Sequence, residues 1–214
     1  MKNFRFKLKN VATIVACSAV MIFVSSCGDD EDKDDKDGSF TSIDVTLQGV
    51  SPDVKEVRLI VFSGNTQVLK TAAFSNEKFR IDLPETVSDN YLYKFDSRFS
   101  PGVVVSNPDA LMSSEIGLVC YDGSGENANR IGWFVFRNEA ETAVLSLTYA
   151  KSDFTIKGEH SEQDGDRTNN FKFDLSLKKG WNKIYLVNTL STRTESYSMV
   201  EPAGLSWYFD LPEE

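Results

Sequence analysis

From Phe40 onward, apolar residues recur at every second position. Ile43, Val45 and Leu47 alternate with Asp44 and Thr46, and Phe171, Phe173, Leu175 and Leu177 alternate with Lys172, Asp174 and Ser176. A period of two sends successive side chains to opposite faces of an extended chain, which is the pattern of a strand with one face buried. The same reading predicts strands over 56–62, 67–74, 78–83, 91–95, 116–121, 130–137, 142–149, 154–158, 181–190, 195–200 and 205–209. Turn-forming clusters separate them, among them Ser63-Gly64-Asn65, Ser75-Asn76-Glu77, Asp122-Gly123-Ser124-Gly125 and Lys178-Lys179-Gly180. No twelve-residue window of this part keeps an i, i+3, i+4, i+7 stripe, so an all-β, antiparallel β-sandwich is expected.

Two modules are expected within that body, with Ser100-Pro101-Gly102 as the hinge. Residues 40–98 would hold about five strands. Their segments GVSPDVKEVRLIVF and EKFRIDLP resemble a small transthyretin-like or immunoglobulin-like module. Residues 99–214 would form a second, larger β-sandwich. Its closing segments, SLKKGWNKIYLVNT and PAGLSWYFD, resemble the ends of Bacteroidota lipoproteins, a likeness that implies shared architecture and no particular activity.

Ahead of the body, Lys2, Arg5, Lys7 and Lys9 precede an apolar stretch from Val11 to Val24. That order of charge and length reads as a secretory signal over residues 1–26. Fourteen residues fall short of the about 20 that cross a bilayer as a helix. The stretch closes on Val24-Ser25-Ser26-Cys27, and here the chain resembles the bacterial lipoproteins. The resemblance implies lipid transfer to the Cys27 thiol, cleavage before it, and attachment to a membrane through the lipid. Two or more acyl chains hold firmly where one is marginal, at about 0.8 kcal/mol per buried methylene. Cys17, after Ile14-Val15-Ala16, is set aside, because cutting there leaves an apolar stub.

Residues 27–39 then form a lipidated, acidic tether. Gly28 to Gly38 carries seven acids, two lysines and no apolar residue, so it has nothing to bury. Asp29, Asp30, Glu31 and Asp32 are similar to the acidic stretch that follows the lipidated cysteine in surface lipoproteins of the Bacteroidota. The likeness implies an outer-membrane, cell-surface location.

The formal charge of −9 becomes −13 once the four positive charges of the signal are removed. Such a surface repels nucleic acid and offers no polybasic hold on anionic lipid. With Cys27 lipidated and Cys17 removed, Cys120 has no partner for an intrachain disulfide. Ile116, Leu118 and Cys120 share a strand face, which predicts a buried, inert thiol.

Catalytic chemistry finds little support. His160 is the sole histidine, placed in a polar stretch read as a loop, and no G-x-S-x-G elbow is present. Glu162, Asp164 and Asp166 around Gly165 are candidate calcium ligands, because hard cations take several oxygens from a bending loop. Trp133, Trp181 and Trp207 are candidate glycan contacts, with core packing as the competing use of the same rings. The function expected is a non-enzymatic binding or structural module with a protein or glycan partner. An envelope hydrolase and a fimbrial-type assembly subunit are the rivals.

Overall fold

The computed structural model describes residues 40–47, 53–63, 65–95 and 101–212. The described chain is all-β. Its strands are β1 (Ser42–Thr46), β2 (Glu56–Ser63), β3 (Asn65–Ala73), β4 (Lys78–Asp82), β5 (Leu92–Lys94), β6 (Val103–Val105), β7 (Leu111–Ser113) and β8 (Ile116–Tyr121). They continue with β9 (Arg130–Arg137), β10 (Ala143–Ala150), β11 (Phe154–Asp164), β12 (Arg167–Leu177), β13 (Gly180–Thr189), β14 (Thr194–Ser198) and β15 (Ser206–Asp210). One 3-10 turn, Asp89–Tyr91, stands before β5. No helix among the described residues is long and apolar enough to cross a membrane.

β1 and β4 pair as a separate two-stranded sheet. The remaining strands run as β3-β2-β8-β9-β10-β13-β14-β12-β11-β6, with β15 added beside β9 and the β5–β7 pair beside β10. The path narrows between β9 and β10 to the single pair Val144 and Arg137. Asn138 shapes the turn between these strands, its side-chain oxygen accepting the amides of Thr142 at 2.8 Å and Ala143 at 3.0 Å. Pairing is antiparallel apart from β12 and β14, which run parallel.

Two hydrophobic cores result. In the first, Val45, Ile81 and Phe79 from the small sheet meet Val57, Leu59, Leu118, Cys120 and Phe134. In the second, Val103, Met112, Phe154, Ile156, Leu175 and Leu177 pack together. β10 and β13 serve both. Leu147, Tyr149 and Trp181 belong to the first core, and Ala150 and Ile184, from the same two strands, belong to the second.

The residue-98 boundary does not coincide with a boundary between cores. β2 lies before it and β8 after it, yet they pair over six positions from Glu56 with Tyr121 to Val61 with Ile116. The described residues all lie in one compact unit. The segment after Gly158, read from sequence as a polar loop, is instead the continuation of β11, which pairs with β12 over eleven positions. Its outward residues are satisfied across the hairpin, with Lys157 to Asp174 at 2.8 Å, Lys172 to Glu159 at 3.0 Å and Ser161 to Asn170 at 2.8 Å. Gly158 itself, at φ +125°, lets the chain entering β6 come to backbone contact with β11, where a Cβ would strike the carbonyl of Gly102.

This sharing of strands sets an expectation for fragments. Val57, Leu59, Val61, Phe79 and Ile81 are nearly inaccessible to solvent. Burying each is worth roughly 1.5–3 kcal/mol. Their sum rivals the about 5–15 kcal/mol that separates a folded domain from its unfolded chain. Residues 99–214 expressed alone are therefore expected to lack a cooperative thermal transition by circular dichroism, while residues 40–214 melt in one.

Candidate functional site

Cys27 and Asp29, Asp30, Glu31 and Asp32 lie outside the described residues. The other candidates fall at three separate places.

Glu162, Asp164 and Asp166 sit at the tip of the β11–β12 hairpin. Asp164 pairs with Arg167, so Gly165 and Asp166 are the whole loop. Gly165 has φ +62° and Asp166 does not share the positive φ, which is the two-residue hairpin turn that places glycine first. The carboxylates thus serve a tight turn and its flanking strand positions. Among the described residues, no three His, Cys, Asp or Glu side chains are grouped as a metal site needs. His160 lies on the same strand opposite Phe171, its ring stacked on that phenyl at 6.2 Å with 18° between planes. Its Nε2 is 3.6 Å from Glu162 Oε1, and only 13% of the side chain is exposed.

The three tryptophans divide by burial. Trp181 is 4% exposed and meets Tyr149 edge-on at 5.7 Å. Its indole N–H donates to the Pro84 carbonyl at 2.7 Å. With both its face and its polar handle used inside the first core, Trp181 is out of reach of a sugar, which corrects its place among the glycan candidates. Trp133 is half-buried on β9, tilted against Phe62 at 5.4 Å, with the Arg130 guanidinium 5.1 Å from its ring centre. Gly117 makes room for this pair, since a Cβ there would press on both rings.

Trp207 is also half-buried, but its setting is open. It pairs across from Phe136 and packs on that ring at 5.1 Å. Both residues line a groove of about 530 Å³ with Thr46 at the end of β1, Leu47 just after it, and residues 205–209. Strand alternation puts Trp207 and Phe209 on the core side of β15 and Tyr208 on the other. Gly132 allows β15 to come this close, because a Cβ there would overlap the Phe209 ring and the Asp210 carbonyl.

Charge and aromatic packing hold β15 in place from its outer face. Arg137 bonds Asp210 at 2.9 Å and Glu141 at 3.2 Å, and lies 4.2 Å from the centre of the Tyr208 ring. The segment just before β15 is tied down by Tyr185, whose hydroxyl donates to Glu201 at 2.6 Å. The pairing of the end of β1 with β15 in one groove carries no local sequence signal, because the two segments are far apart in the chain. Cys120 is fully buried in the first core with Ile116 and Leu118, and burial pushes its thiol well above the usual range, away from nucleophilic use.

No protein-family model, curated protein or solved structure matches the chain.

Two outcomes follow from these environments. Trp181→Ala is expected to cost on the order of 3–5 kcal/mol in denaturant unfolding, as full truncation of a buried indole does. Trp207→Ala should cost distinctly less, because part of that ring is already wet. The second outcome concerns pH. Burial, followed by the adjacent carboxylates Glu201 and Glu195, raises the phenols of Tyr185 and Tyr197 above their ordinary value. A raised acid favours the folded state below its unfolded pKa, about 10 for tyrosine, and that contribution is lost as pH rises further. Thermal scans from pH 8 to 11.5 should show Tm falling above about pH 10, and the Tyr185→Phe, Tyr197→Phe double variant should fall less steeply.

Proposed function

We propose that the chain is a lipoprotein of the bacterial envelope, held by lipid on Cys27 and displayed at the outer surface, whose β body binds or scaffolds a protein or glycan partner. The observation that carries this reading is Val24-Ser25-Ser26-Cys27, closing an apolar stretch that follows four positive charges. The acidic run after Gly28 supports display, since eleven residues at ~3.3–3.6 Å each allow a reach of up to roughly 40 Å between lipid and body. The body takes over at Phe40, which packs against the first core with the Lys183 ammonium 5.1 Å from its ring centre. For the partner, the groove with Trp207 and Phe136 is the place of choice, as it sets two aromatic rings beside Thr46 and Leu47.

Cys27→Ala is expected to move the protein from the membrane to the soluble fraction and to abolish labelling by a fatty-acid probe. Retention of both would overturn the anchor. Changing Asp29, Asp30, Glu31 and Asp32 together to Ala should leave lipidation intact while protecting the protein from protease added to whole cells. Undiminished cleavage would reduce the acidic run to a spacer.

A further inference from the structure

We draw no further inference here: the strongest candidate, the open groove lined by the end of β1 and by β15, belongs to the site already described, and nothing in the structure shows what covers its apolar floor.

Discussion

The ladder between β10 and β13 carries the molecule. Eight consecutive pairs, from Ala143 with Val187 to Ala150 with Gly180, hold two strands whose faces are both covered. One face gives Leu147, Tyr149 and Trp181 to the first core, and the other gives Ala150 and Ile184 to the second. A sheet with solvent on one side tolerates polar outward residues, but a ladder between two cores must satisfy every polar group it buries. Asn182 does so at the end of the ladder: its side chain accepts from the Lys178 amide at 2.9 Å and donates to the carbonyls of Lys178 and Gly180 at 2.8 and 3.0 Å. The Ser113 hydroxyl does the same for the Tyr149 amide at 3.0 Å.

Ion pairs play a smaller part, and burial ranks them. Lys94 with Asp109 and Lys151 with Asp89 are half or more exposed, so water and salt screen them. Arg137 is different, with 14% of its side chain exposed and two carboxylates and a ring around it. It fixes the end of β15 against β9, which in turn fixes the aromatic wall of the groove. Arg58 plays a similar part at the far side of that sheet, stacking on Tyr121 at 3.8 Å and bonding the Gly125 carbonyl at 2.6 Å. Folding the loop back onto the sheet in this way joins two segments 67 residues apart.

Alternation exposed most of this architecture to a sequence reading, because period two is a property of neighbours along the chain. The strand at 43–47, the buried thiol of Cys120 and the closing strand around Trp207 were all legible on that basis. Position 160 was not, since the outer half of β11 is extended by cross-strand polar pairs and carries little apolar signal. The bend at Gly165 reads from sequence as part of a loop, and the structure narrows it to a two-residue turn. β6 and β7 are three residues each, too short for periodicity to register. The parallel pairing of β12 with β14 and the sharing of β10 and β13 by two cores depend on which strands meet, and residue order carries no local mark of that. For the candidate site, the three tryptophans look alike in sequence. What separates them is the partner each finds, Pro84 for Trp181, Phe62 for Trp133 and Phe136 for Trp207.

The position of β15 has a consequence for timing. Its partner β9 lies far upstream, with Arg137 and Asp210 joined across 73 residues, and β2 must likewise wait for β8. Contacts of such long range are closed late and slowly, since the entropy of the intervening loop is lost before the contact returns anything. The first core includes Phe209 and Trp207 at its edge, so it stays unfinished while the C-terminal residues are withheld. A chain built this way completes its first core only once β15 has reached β9.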